Sequence, residues 1–161
     1  MIELQLVGVR VELPTNQPIV LLKEREGERY LPIWIGAVEA TAIALGMQGI
    51  ETARPMTHDL MRDLLKGLGV TVQRIVITEL REGTFYAEIQ LSSNGDSVSI
   101  SSRPSDALAL AVRMNLEIFA SEDVLDEASI AVKDDQDEEE VQEEVAKFRE
   151  FLEQVTPEDF K

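Results

Sequence analysis

Apolar and polar positions alternate over residues 7–13, where Val7, Val9, Val11 and Leu13 are separated by Gly8, Arg10 and Glu12. That period predicts a half-buried strand. Residues 14–18 read as a turn. Residues 19–22 and 30–35 flank a charged loop holding Gly27 and predict a hairpin. Pro32 in its second arm points to an edge position or a bulge. Residues 37–47 are rich in Ala, Ile and Leu, carry Glu39 as their one charge, and predict a helix. Thr57 is expected to cap a second helix, with Asp59 in its first turn and Leu60, Met61, Leu64, Leu65 and Leu68 on one apolar face.

Residues 70–80 predict a long strand. Phe85, Ala87, Ile89 and Leu91 alternate in the next, and Asn94-Gly95 is a strong hairpin signal because both turn positions favour positive φ. Val98 and Ile100 continue the meander. Ser105 is expected to cap a third helix reaching about Met114. Its centre, residues 107–112, is apolar nearly all round, which predicts burial inside the subunit or at an oligomer interface. A short strand at Ile118-Phe119 and a short helix over 122–128 complete the body. Strands and helices come in runs, which predicts an α+β fold. Its mixed or antiparallel sheet would hold the N-terminal strands and a three-stranded meander, packed with three body helices.

Charge divides the chain. Residues 134–140 are a like-charge run and predict a solvated acidic linker between a body at 1–133 and a tail at 141–161. In the tail Val141, Val145, Phe148, Leu152 and Val155 form one narrow stripe, the pattern of an amphipathic C-terminal helix. So thin a stripe needs a docking surface on the body, on a second subunit or on another protein.

The whole chain has 161 residues, 44% of them apolar, enough for a sizeable core. Its 31 acids against 15 bases give a net charge of −16, which argues against a basic nucleic-acid clamp. Without cysteine there is no disulfide framework, thiolate zinc site or cysteine nucleophile, and one histidine excludes a His-rich metal site. No apolar run approaches the ~20 residues of a membrane helix, and the N-terminus lacks a basic leader, so a soluble cytoplasmic protein is expected.

No glycine-rich nucleotide loop, P-loop or Gly-x-Ser-x-Gly elbow occurs. One local pattern occurs twice. Arg54-Pro55-Met56-Thr57-His58-Asp59 and Arg103-Pro104-Ser105-Asp106 each place an arginine, a proline, a hydroxyl and an acid at a helix start. Helix N-termini attract anions and an adjacent arginine strengthens a phosphate site. The plainer reading is that Thr57 and Ser105 are caps and that the acids serve the helix dipole. Glu39, Asp59, Glu79, Glu88 and Asp106 are hard oxygen donors suited to Mg2+ or another divalent cation. His58 is the chain's one imidazole for general acid–base work. Trp34 and Tyr30 would stack on bases or pack in the hairpin.

Four ordered blocks carry a family resemblance. Leu31-Pro32-Ile33-Trp34-Ile35-Gly36 with Glu39-Ala40 and Ile43-Ala44 is the first, and Arg54-Pro55-Met56-Thr57-His58-Asp59-Leu60 the second. Glu82-Gly83-Thr84-Phe85-Tyr86-Ala87 and Arg103-Pro104-Ser105-Asp106-Ala107-Leu108-Ala109-Leu110-Ala111 follow. Together they resemble the bifunctional nuclease (BFN) domain family, and the tail looks like that of actinobacterial members. The resemblance implies an α+β domain that self-associates as a homo-oligomer, a dimer or a trimer, and nuclease activity on RNA and DNA. The matched polar positions are Glu39, His58, Asp59 and Asp106 as catalytic candidates, with Arg54, Arg103 and Ser105 for phosphate. Glu39, Asp59 and Asp106 are the metal candidates. Ser101 departs from the aspartate that many members carry two residues before the motif arginine. The alternative is a non-enzymatic regulatory module of the same fold, with the acidic helix docking a protein partner.

Overall fold

The computed structural model describes residues 1–12 and 15–131. Leu13, the acidic linker and the C-terminal helix expected at 141–161 lie outside them. Among the described residues eight strands form one mixed sheet and four helices pack with it, an α+β fold. The strands are β1 (Ile2–Glu12), β2 (Gln17–Glu24), β3 (Arg29–Trp34), β4 (Thr71–Arg81), β5 (Thr84–Ser93), β6 (Asp96–Ser102), β7 (Glu117–Ala120) and β8 (Ile130–Ala131). The helices are α1 (Ala37–Met47), α2 (Thr57–Gly67), α3 (Pro104–Met114) and α4 (Glu122–Ala128).

The sheet order is β6-β5-β4-β7-β1-β2-β3-β8. Two antiparallel units, β1-β2-β3 and β4-β5-β6, are thus joined by the four residues of β7, which pairs antiparallel with β1 and parallel with β4. Nothing local in Ile118-Phe119 announces that central place. Burial follows the expected alternation along β5, where Phe85, Ala87, Ile89 and Leu91 face inward.

In β1 the alternation changes phase. Leu4 and Leu6 turn to the core, a register shift falls between Leu6 and Gly8, and Val9 then turns inward. Val7 and Val11 are exposed, against the expectation of one continuous apolar face. A bulge adds a residue to one strand and so swaps the faces beyond it. Pro32 is tolerated because β8 pairs only with Arg29 and Tyr30, leaving the outer edge of β3 open at the proline. Trp34 is buried and so belongs to the packing.

Helix α3 crosses the sheet over β4, β5 and β7, with α1 beside it over β1 and β2. Ala107 through Ala111 are buried, as the all-round apolar pattern predicts. Helices α1 and α3 run side by side in the same direction. Their N-terminal ends meet at Glu39 and Arg103, and their C-terminal ends meet where Gly46 touches Val112 and Arg113. A Cβ on Gly46 would collide with both side chains, so only glycine allows that approach. Helix α2 packs chiefly on α3, with its end against β4. Its inward residues are Met61 and Leu65, whereas Leu60, Leu64 and Leu68 are exposed. The apolar face expected of α2 is therefore only half used by the core.

Asn94 and Gly95 both have positive φ, and Ser93 pairs with Asp96 across them. Gly95→Ala should lower stability by about 1 kcal/mol, since the left-handed region penalises a Cβ. Gly67 lies in α2 with open space around a built Cβ. Gly67→Ala should instead raise stability by about 0.5–1 kcal/mol. Urea unfolding of the two variants checks the opposite signs.

Candidate functional site

Helices α1, α2 and α3 each carry an acid at the third residue: Glu39 in α1, Asp59 in α2 and Asp106 in α3. An N3 carboxylate reaches back to the free N–H groups of its helix start and complements the dipole. Asp59 does this directly, accepting a hydrogen bond from the Met56 N–H at 3.0 Å. The Glu39 carboxylate folds back over Gly36, where a Cβ would collide with it. The caps differ from those expected. Met56 and Arg103 hold the cap positions, so Thr57 is the first residue of α2 and Ser105 the second of α3. The rigid φ of Pro104 suits the first helical position and moves the start one residue ahead of Ser105.

Tertiary contacts sort the candidates into two groups. Arg103 Nε donates to Asp106 Oδ2 at 2.9 Å and Nη1 to Glu39 Oε1 at 3.1 Å, tying the starts of α1 and α3 together. On the other side Asp106 Oδ1 lies 2.9 Å from His58 Nε2. Glu39, Arg103, Asp106 and His58 thus form one continuous chain. His58 is buried, while the Arg103 side chain is 54% exposed.

Burial alone would raise the Asp106 carboxyl, but hydrogen bonds from Arg103 and His58 and the Arg103 charge outweigh it and hold the group below the usual aspartate range. An ionised Asp106 only accepts, so the proton between the two side chains resides on His58 Nε2. Nδ1 has no hydrogen-bond partner among the described residues.

The second group is built on Asp59. Arg113 Nε donates to Asp59 Oδ1 at 2.7 Å and its Nη1 to the Ala109 carbonyl at 2.7 Å. Arg62 stands 4.0 Å from the same Oδ1. Burial would raise Asp59 too, but the Met56 N–H, then Arg113 and Arg62, bring it below the ordinary range. The first turn of α2 is thus clamped to α3 twice, through His58 to Asp106 and through Asp59 to Arg113. Asp59, Arg62 and Arg113 stand on the wall of an open groove of about 850 Å3 beside residues 46–52. The Glu39–Arg103–Asp106–His58 chain does not line it.

Arg54 is exposed, and its guanidinium has no ion pair among the described residues. The two motifs that look alike in sequence therefore differ: Arg103 pairs with the acid of its own motif, whereas Asp59 takes its arginine from α3. Ser105 is buried in the first turn of α3. Arg113, 5% exposed, was not among the sequence candidates. Its signal in the sequence was a single charge directly after the apolar run of residues 107–112.

The carboxylates do not fit a divalent cation as they stand. Among the described residues no three His, Asp or Glu side chains converge. Glu39 and Asp106 share a guanidinium where a cation would have to sit, and Asp59 is paired with Arg113. Glu79 pairs with Arg81 at 3.7 Å, on a different strand from Glu88. No helix is long and apolar enough to cross a membrane among the described residues.

Residues 20–133 match the bifunctional nuclease domain. The chain belongs to the bifunctional nuclease domain family. An uncharacterized protein of Mycobacterium tuberculosis is 49% identical over 163 residues, covering 99% of this chain and 98% of that protein. Bifunctional nuclease 2 of Arabidopsis thaliana is 30% identical over 112 residues, 66% of this chain and 34% of that protein. Bifunctional nuclease 1 of the same plant is 28% identical over 105 residues, 63% of this chain and 32% of that protein. The BFN-domain chain therefore spans about a third of each of these two plant relatives. The matched stretch contains β3 to β8 and all seven candidate residues.

Because Asp59 and Asp106 both titrate below the unfolded carboxylate value, their contribution to stability is complete above about pH 4. It is lost as pH falls through the lowered folded values. Urea midpoints should stay level from pH 7 to about pH 5 and drop below pH 4. Asp59→Asn should flatten that acid limb; an unchanged limb would remove Asp59 as its source.

Proposed function

We propose that this BFN-domain chain cleaves phosphodiester bonds in nucleic acid, with single-stranded RNA the substrate its own residues serve best. The observation that carries the reading is the buried His58–Asp106 pair at 2.9 Å beside the exposed Arg103. The names of the plant relatives support it. Asp106 fixes the imidazole with Nε2 protonated, leaving Nδ1 to accept the proton of a ribose 2′-hydroxyl. The 2′-oxygen then forms its bond to phosphorus as the bond to the 5′-oxygen breaks, and the leaving oxygen takes a proton from water. Arg103 would meet a phosphate oxygen through Nη2, the nitrogen not engaged in its two ion pairs. RNA carries its own nucleophile and so asks less of the protein than DNA.

A second reading, a non-enzymatic regulatory module, is favoured by one feature. Arg103 is already neutralised by two carboxylates in a body of net charge −7. The test is cleavage of labelled single-stranded RNA and DNA by the full chain, with magnesium and with chelator, beside His58→Gln. RNA cleavage that survives chelator and is lost in folded His58→Gln supports the proposal. No cleavage in any condition selects the module, and cleavage unaffected by the substitution moves the chemistry away from His58.

A further inference from the structure

The four described helices share one core. Val124, Leu125 and Ala128 of α4 belong to the same apolar cluster as Ile43 of α1 and Leu108 of α3, and Met61 and Leu65 of α2 pack against it. Successive residues of a strand point to opposite faces of a sheet, and cross-strand partners share a face. Val20, Leu22, Leu31 and Ile33 turn to the helices. Ile19, Leu21, Pro32 and Trp34 alternate with them and so turn the other way, Ile19 paired with Trp34 and Leu21 with Pro32. Ile130, across from Tyr30, carries this second patch to the β8 edge.

Among the described residues no helix lies on that second face. Its side chains are nevertheless dry. Ile19, Leu21, Pro32, Trp34 and Ile130 are all 9% exposed or less, Leu21 only 2%, and none belongs to the helix-side core. Apolar side chains rising from a sheet lose their water under a second layer. The chain outside the described residues consists of 13–14 and 132–161. Two residues cannot cover five large side chains on three strands.

We propose that residues 141–155 of the same chain supply this layer. They would lie as a helix across β3, β2, β1 and β7, with Val141, Val145, Phe148, Leu152 and Val155 against the patch. The place where β8 ends suits this, since Ala131 leaves the sheet beside β3, at the border of the patch. Residues 132–140 can reach at most about 30 Å. The stripe is about 21 Å long as a helix, and the four strand spacings from β3 to β4 add up to about 19 Å. Its far end would therefore meet Val76 and Phe119, which are paired on the same face. Charge fits as well. Arg10 is the cross-strand partner of Ile19 and Lys23 follows Leu21 on this face, while residues 134–161 hold 12 acids against 3 bases.

Trp34 is the chain's one tryptophan, so its emission reports on the patch. In the full chain, Val145→Asp with Leu152→Asp should shift that emission to the red and speed its quenching by acrylamide. Far-UV circular dichroism and a cooperative urea transition should show that the body stays folded. The chain has no cysteine, so a conservative variant gives a second readout. The Leu152→Cys thiol should react slowly with a disulfide reagent. The Glu150→Cys thiol, on the opposite side of the same helix, should react fast, and urea should make the two alike. Both readouts should be unchanged by dilution, because the cover belongs to the same chain. Equal thiol rates in the folded protein, or a Trp34 spectrum unmoved in the folded double variant, would overturn the proposal. A red shift of the wild-type emission on dilution would overturn it in favour of a second copy as the cover.

Discussion

Asp106→Asn is expected to lower RNA cleavage by about 10²–10⁴-fold, the range that a general acid–base group contributes. Asparagine keeps the volume and one acceptor oxygen, so α2 and α3 should stay docked. It loses the charge that holds the Nε2-protonated form of His58, and its amide offers a donor that favours the other tautomer. The imidazole then presents the wrong nitrogen to substrate. Arg103 is released from one of its two acids and would bind phosphate more readily. Rate and affinity should therefore move in opposite directions: a lower single-turnover rate with unchanged or tighter binding of a non-cleavable RNA. Loss of both together, with an unfolded circular dichroism spectrum, would reduce Asp106 to a packing residue. Equal rates would remove it from the chemistry.

Arg113→Met is expected to cost the fold about 3 kcal/mol, because breaking a buried pair leaves its other charge uncompensated. Arg113 is 5% exposed and Asp59 19%, so little water is available to replace the guanidinium. Methionine fills the space of the aliphatic stem but offers Asp59 no donor, and the Ala109 carbonyl also loses its bond from Nη1. Arg62, at 4.0 Å, compensates only in part. Adding Asp59→Asn should recover much of the loss, since the amide oxygen can still accept from the Met56 N–H without carrying a charge. Urea unfolding of the two variants measures the difference. A single-variant cost below about 1 kcal/mol would mean that this pair behaves as a surface salt bridge.

Much of the body was legible because its signals are local. The alternation in β5, the Asn94-Gly95 turn and the all-round apolar α3 each follow from neighbours within a few residues. The bulge in β1 was not legible, since one added residue leaves the composition of the strand unchanged while reversing its faces. Leu60, Leu64 and Leu68 looked like core residues because α2 carries a broad apolar face, and only packing decides how much of it the body covers. The candidate site was half legible. Glu39, His58, Arg103 and Asp106 stood out as polar positions at helix starts and come together, whereas Arg54 stays apart and Asp59 pairs with Arg113 from another helix.

By itself the sequence determined the α+β class, the order of elements as far as α4, the charge division at residue 134 and the placing of an acid near each helix start. These depend on propensity, periodicity and capping, which act over one or two turns of chain. Only the tertiary structure decided that β7 joins the two halves of the sheet, that one arginine bridges Glu39 and Asp106, and that His58 is buried against Asp106. Those contacts span 48 and 64 positions along the chain. Side chains so far apart in sequence meet only when helix packing fixes their approach.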